Sequence, residues 1–101
     1  MTAATVKAVL PELGGSRQRA RAVVEAALAR LSPSAEEPII VIDGSAVLAM
    51  TQGFSDELIA ASLPEHPLLS LVVTGLSDQE SIDYLLASAK AHRVDGRIAL
   101  A

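Results

Sequence analysis

The sequence predicts an α/β fold with a single layer of mostly parallel or mixed sheet, about four strands and three helices. The first observation is the run Ile39–Ile42, four consecutive β-prone apolar residues of the kind found in a strand covered on both faces. The second is that strand-like and helix-like segments alternate along the chain, which is typical of parallel strands joined by right-handed crossovers. The length of 101 residues indicates one domain, residues 1–101.

The composition argues against several classes of function. Hydrophobic residues make up 50% of the chain but aromatic residues only 2%, which leaves little for base stacking, and the net charge of −4 disfavours nucleic-acid binding. There is no cysteine and hence no disulfide or thiolate chemistry. No apolar run approaches the ~20 residues of a membrane span, and no signal-peptide pattern opens the chain. We therefore expect a cytoplasmic protein without a membrane span.

The first half of the chain is predicted to contain a strand and a helix before the central strand. Residues 3–10 form the first strand, which Pro11 and Gly14-Gly15 end. Ser16 is the expected N-cap of an amphipathic helix whose apolar residues recur with helical spacing until Ser32-Pro33. A solvated loop then leads into the central strand.

The second half repeats this alternation. Asp43-Gly44 ends the central strand, and a short helix stops at Pro64. The sequence from Ser77 to Glu80 matches a capping box, with Ile82, Leu85, Leu86 and Ala89 as the buried stripe of the third helix. The remaining predicted boundaries are a third strand over 68–74, a helix end at Gly96 and a last short strand over 97–101.

The segment Thr51–Glu57, called the elbow here, joins the central strand to the second helix. It has a purely structural interpretation, in which Thr51 or Ser55 caps the helix and two acidic residues complement the helix dipole. It also has a functional one, because α/β proteins tend to bind partners at strand-to-helix junctions. On that interpretation the partner-binding residues are Thr51, Gln52, Gly53, Phe54, Ser55, Asp56 and Glu57.

The elbow also carries a family resemblance. Asp43–Val47 followed by Met50–Gly53 resembles the core of the sulphate transporter and anti-sigma factor antagonist (STAS) domain. Gln52–Leu58 more closely resembles the STAS-like domain of unknown function. The resemblance implies a STAS-like fold and a non-enzymatic regulatory module. Such a module docks on a protein partner, for example a histidine-kinase-like ATPase or an anti-sigma factor, through the elbow and its helix.

One departure from the family concerns phosphorylation. STAS antagonists are switched by phosphorylation of a serine in Asp-Ser-Ser-Gly, and Thr51, Gln52 and Gly53 occupy the Asp-Ser-Ser positions here. Gln52 cannot accept a phosphate. The neighbouring hydroxyls of Thr51 and Ser55 are the candidate phosphoacceptors, and a phosphate beside Asp56 and Glu57 should disrupt docking.

Three arginines at the start of the first helix form a second candidate site. Cations at a helix N-terminus oppose the dipole, and such local violations are sometimes functional. One interpretation is anion binding by Ser16, Arg17, Arg19 and Arg21. The other is a solvated face opposite the apolar stripe.

Two rival functions remain open from the sequence. Asp43 ends a buried strand and could be the phosphoacceptor of a receiver-like domain, although no acidic pair follows the first strand. A small apolar chain could also be a structural homodimer or larger homo-oligomer. The residue spacings contain no metal-ligand or nucleophile motif, so we expect no cofactor, no metal and no enzymatic activity.

Overall fold

The computed structural model describes residues 3–101, which fold into three α-helices and two parallel sheets. The elements are, in chain order, β1 (Thr5–Val9), β2 (Leu13–Gly14), α1 (Arg17–Leu28), β3 (Ile39–Asp43), β4 (Ala49–Met50), α2 (Gln52–Ala60), β5 (Ser70–Thr74), α3 (Gln79–Ala91) and β6 (Ile98–Leu100). A short 3-10 helix, Asp95–Arg97, precedes β6.

The main sheet has the strand order β1-β3-β5-β6, and every neighbouring pair is parallel. Its register sets Lys7, Val41, Val72 and Ala99 side by side across the four strands. The predicted α/β class, with about four strands and three helices, is confirmed. The two-residue strands β2 and β4 form a second, parallel sheet that the sequence did not predict.

All three helices lie on one face of the main sheet. Right-handed crossovers between strands added in one direction place successive helices on the same side, and α1 packs on α2 and α2 on α3. Ile40 and Ile42 are buried under this layer, whereas Ile39 and Val41 are only half-buried on the opposite face. The expectation that the central strand is covered on both faces is therefore wrong.

The core lies between the sheet and the helix layer and is almost entirely aliphatic. Phe54 on α2 is the largest fully buried side chain. It requires a glycine on the neighbouring β2, since a Cβ on Gly14 would lie 2.6 Å from Phe54 Cδ1. The small sheet thus holds the chain close above the start of α2.

Local signals fix most helix boundaries. Ser16 caps α1 as predicted, its Oγ accepting from the N–H of Arg19 at 3.2 Å. The cap of α3 is Asp78 in place of Ser77, and its carboxylate accepts from the N–H and hydroxyl of Ser81. This helix ends at Ala91, ahead of Gly96, with Arg93 at φ 59°.

Leu86 differs from its predicted place in the buried stripe of α3, because it is 42% exposed. Ser81 and Ser88 are buried on that helix instead. Within residues 3–101, no helix has the combination of length and apolarity that crossing a bilayer requires.

Candidate functional site

The elbow comprises the N-cap and the first six residues of α2. Thr51 is the N-cap, with φ −76° and ψ 162°, and its Oγ1 accepts from the N–H of Phe54 at 3.1 Å. The N–H of Thr51 donates to the carbonyl of Gly14 at 2.8 Å, which ties the elbow to β2. The capping role predicted for Thr51 is confirmed.

Burial divides the elbow into two halves. In the outer half, Thr51 and Gln52 are exposed and Gly53 is half-buried. In the inner half, Phe54 and Ser55 have no exposed surface, because α2 turns both toward the core. Contrary to the prediction, Phe54 and Ser55 therefore cannot contact a partner in the folded chain.

The same burial removes one of the two candidate phosphoacceptors. The hydroxyl of Ser55 donates to the carbonyl of Thr51 at 2.9 Å inside the core. A kinase could reach it only after α2 had unwound. Thr51, at the exposed start of the helix, is the accessible hydroxyl of the pair.

The two acidic residues of the elbow pair with the arginines of α1. Nη1 of Arg17 donates to Oδ2 of Asp56 at 2.6 Å and lies 3.5 Å from Oε1 of Glu57. Nη2 of Arg21 lies 2.6 Å from Oε2 of Glu57. Among residues 3–101, no N–H is aligned with that buried oxygen, so the contact is an ion pair without a directed hydrogen bond. The elbow and the arginines of α1, two separate candidate sites along the sequence, are therefore one group in the fold.

Helix α3 completes this group, which we call the interhelix cluster: Arg17, Arg21, Asp56, Glu57, Ser88 and His92. The hydroxyl of Ser88 donates to Oδ1 of Asp56 at 2.6 Å, and Nε2 of His92 lies 3.0 Å from the same oxygen. The hydrogen bond from Ser88, followed by that from Arg17, lowers the pKa of Asp56 to about 2, although burial opposes the shift. Asp56 is a permanent acceptor at neutral pH.

Three of the four residues of the anion site predicted on α1 are engaged in contacts within the chain. Ser16 is occupied by its cap bond, and the hydrogen bond to Asp56 raises the pKa of Arg17 further above its usual value. The acids that Arg17 and Arg21 meet belong to the same chain. Arg19 is exposed and makes no ion pair with any residue between 3 and 101. An external anion would have to compete with the internal carboxylates.

Asp43 has the turn role that the sequence predicted. Its Oδ1 accepts from the N–H of Ser45 at 2.9 Å, and Nζ of Lys7 lies 3.4 Å from Oδ2. The bonds from Ser45 and the contact with Lys7 lower the pKa of Asp43. Thr74 lies beside it on β5. In residues 3–101, no three His, Asp or Glu side chains are grouped so that they could hold a metal ion.

Two shallow depressions flank the outer half of the elbow. One, of about 470 Å³, lies between Arg17, Asp56 and α3. The other, of about 420 Å³, lies between β2, β4 and Glu80. Gln52 and Tyr84 line both, so these two side chains form the ridge between them.

Two contributors to this surface were not predicted from the sequence. Tyr84 lies on the ridge, where its hydroxyl donates to Oε1 of Glu80 at 3.2 Å, and this bond raises the pKa of Tyr84. Leu13 on β2 is 61% exposed and lines the second depression. No sequence signal identifies Leu13, because its position depends on the unpredicted pairing of β2 with β4.

No family model matches the chain, and neither the curated proteins nor the solved structures include one significantly similar to it. The resemblance to the STAS domain therefore stays a prediction based on the residues around the elbow.

Proposed function

We propose that this chain is a non-enzymatic regulatory module that docks on a protein partner through the outer half of the elbow. The docking surface consists of Leu13, Ala49, Thr51, Gln52 and Tyr84. The observation that carries the proposal is that Thr51 and Gln52 are exposed at the start of α2 and line the second depression together with the exposed Leu13. Gln52 also borders the first depression. Leucine, tyrosine and uncharged hydrogen-bonding side chains line the second depression, and interface centres are typically apolar, rich in aromatic residues and poor in charge.

The charges around this surface indicate which kind of partner surface it would fit. Asp56 and Glu57 are neutralised by Arg17 and Arg21, so they stabilise the elbow without attracting a partner strongly. Glu80 leaves an acidic rim on the second depression. The surface fits a protein patch that is apolar at its centre and basic at its edge. The STAS resemblance implies that the partner protein with this patch is a histidine-kinase-like ATPase or an anti-sigma factor.

Thr51 is the residue through which docking would be regulated. A phosphate on its exposed hydroxyl would add about −1.5 to −2 charge at the centre of the docking surface, near Glu80. Docking would then require this charge to be desolvated in an apolar contact, which is costly. Phosphorylation is therefore expected to release the partner.

The chemistry of the available acids favours a binding role over catalysis. With a pKa of about 2, Asp56 has no proton to donate near neutral pH. Asp43 is held in its turn by Ser45 and Lys7. If the receiver-like alternative held, acetyl phosphate with magnesium would add a phosphoryl mass to Asp43. That result would overturn the proposal.

The test begins with a photo-crosslinker placed at Gln52 in the native cell. A protein captured there is then purified, and its affinity for the wild-type chain is measured by calorimetry. Leu13→Asp should weaken binding at least ~10-fold by charging the interface. The matched control is Leu68→Asp, since Leu68 is 68% exposed but lies before β5, at the opposite end of the sheet.

Three results bear on the proposal. Weakening by Leu13→Asp alone supports it, and equal affinities of both variants and wild type would contradict it. Thr51→Glu should weaken binding, while Thr51→Ser should not, because serine keeps the cap and the neutral hydroxyl. Lysine at Asp56 or Glu57 is unsuitable as a test of docking, because it would break the interhelix cluster.

A further inference from the structure

The two edges of the main sheet are protected to different degrees. On the β1 edge, Arg30 donates to the outward carbonyl of Lys7 at 2.6 Å, and Ala3 is bonded to Arg30 and Ser32. The β6 edge has no partner strand within residues 3–101. Residues 98–101 carry no charged side chain and no proline, the usual devices that stop edge strands from pairing. The nearest charge, Arg97, is turned inward onto the carbonyls of Leu63, His66 and Leu69.

The backbone of β6 directs alternate residues outward. The N–H of Ala101 donates to the carbonyl of Val73, so Ala99 and Ala101 face β5. Leu100 therefore directs its N–H and its carbonyl away from the sheet. Ile98 directs its carbonyl the same way. A second strand can add to these groups.

We propose that the occupant of this edge is a second copy of the chain, with the two β6 strands antiparallel about a two-fold axis at Ala99. Only this register pairs both outward residues of one copy with both of the other, Leu100 against Ile98 and Ile98 against Leu100. The result is a continuous eight-stranded sheet. This proposal is independent of the proposed function, which uses another surface.

Helix α3 supplies the rest of the interface. Ser88 and His92 face α2, so positions 82 and 86, about a third of a turn away, face the β6 edge. Leu86 and Leu100 are 42% and 40% exposed there. The two-fold axis lays the two α3 helices antiparallel over the joined sheet and covers both leucines.

Charge complementarity on α3 agrees with this arrangement. If the axis passes near Leu86, in the middle of α3, Lys90 comes opposite Asp83 of the second copy, twice by symmetry. Helix α3 is ~20 Å long, and a helix layer on a sheet is roughly as thick. The contact would bury on the order of 500 Å² per copy, which is near the lower limit for a specific interface. We therefore expect a reversible dimer.

The first experiment is sedimentation velocity of the full chain from about 1 to 500 µM. The weight-average mass should rise from 10.5 kDa toward twice that value. Leu100→Pro removes an outward N–H that the sheet does not use, and it should raise the dissociation constant at least ~10-fold. Val9→Pro makes the same change on the β1 edge, where Leu10 bonds inward, and should leave the constant within ~2-fold.

Leu86→Glu provides a second route that does not alter the strand. It sets two carboxylates against each other at the axis and should also raise the dissociation constant at least ~10-fold. Leu13→Glu is its control on a distant exposed leucine. If Leu100→Pro fails to fold, as judged by circular dichroism, the comparison of Leu86→Glu with Leu13→Glu decides the question.

The chain has no cysteine, which permits a test of the register. Across the axis the two Ala99 residues form a non-hydrogen-bonded antiparallel pair, whose Cα atoms are ~4.5 Å apart, within the range of a disulfide. Ala99→Cys should therefore oxidise to a covalent dimer at least ~10-fold faster than Val9→Cys. A chain that stays monomeric at 500 µM would overturn the proposal. So would equal oxidation rates, or a dimer that both Leu100→Pro and Leu86→Glu leave intact.

Discussion

The outer and inner halves of the elbow follow one another in the first two turns of α2 but face opposite environments. Thr51 and Gln52 are exposed, whereas Phe54 and Ser55 have no exposed surface. The inner half is anchored by the core and by ion pairs to α1, and it holds the outer half at a fixed position. The inner half thus stabilises the turn, and the outer half is left exposed to solvent.

The largest effect is expected from Phe54, at the centre of the inner half. Phe54→Ala should reduce the free energy of unfolding by ~4 kcal/mol, because it removes a fully buried aromatic ring and leaves a cavity against Gly14. Urea denaturation measures the change. Leu48→Ala, at a site 66% exposed, is the control and should cost less than ~0.5 kcal/mol. Similar losses for the two variants would remove the distinction between the halves.

The next effect concerns the pH dependence that Asp56 creates. Its pKa is lowered from 3.8 to about 2 in the folded chain, so the ionised form contributes about 2 kcal/mol above pH 4. That contribution is lost as the pH falls from about 4 through 2. Asp56→Asn should therefore be less stable than wild type at pH 7, and the gap should narrow toward pH 2.

Urea titrations at several pH values measure this gap. The control is Asp95→Asn, at an exposed position outside the interhelix cluster. A gap between Asp56→Asn and wild type that stays constant from pH 7 to pH 2 would show that ionisation of Asp56 does not stabilise the inner half.

A smaller effect is expected at the boundary between the halves. Thr51→Ala removes the oxygen that accepts from the N–H of Phe54 and should cost ~1 kcal/mol in thermal or urea unfolding. Thr51→Ser keeps the oxygen and should recover most of the loss. If serine and alanine are equally destabilising, the cap bond is not the cause.

The smallest effect on stability belongs to Gln52. Its side chain is exposed, so Gln52→Ala should change the free energy of unfolding by less than ~0.5 kcal/mol. Under the proposed function the same variant should weaken partner binding measurably by calorimetry. A variant that loses stability and keeps binding would reverse the roles assigned to the two halves.

Local sequence patterns predicted much of the fold. The alternation of elements, the caps at Ser16 and Thr51 and the turn at Asp43 depend on residues close in sequence, and all were found. The run Ile39–Ile42 led to a wrong prediction of burial on both faces, because a half-buried face of a sheet carries the same aliphatic residues as a fully buried one. Ser77 and Asp78 are both good N-caps, and a pattern cannot choose between them.

The candidate site was less predictable because its main contacts join distant parts of the chain. Arg17 and Asp56 are 39 positions apart, and α1 must pack on α2 before they meet. The sequence showed arginines that oppose the dipole of α1 and carboxylates that were predicted to complement the dipole of α2, but Asp56 and Glu57 lie beyond the first turn of that helix. It could not show that each group is the counter-ion of the other. The burial of Ser55 was also hidden, since a short helix between two others is covered on more than one side.

The sequential strand order has a consequence for how the chain folds. Within residues 3–101, each new strand of the main sheet pairs with the strand that ends 24–30 residues before it begins, and none is inserted between two others. The loops to be closed are therefore of similar, moderate length, and the entropy of closing each one is nearly the same. Folding can advance from the N-terminus in steps of one strand and one helix, as the chain leaves the ribosome. Each new strand pairs with a strand that has already been made.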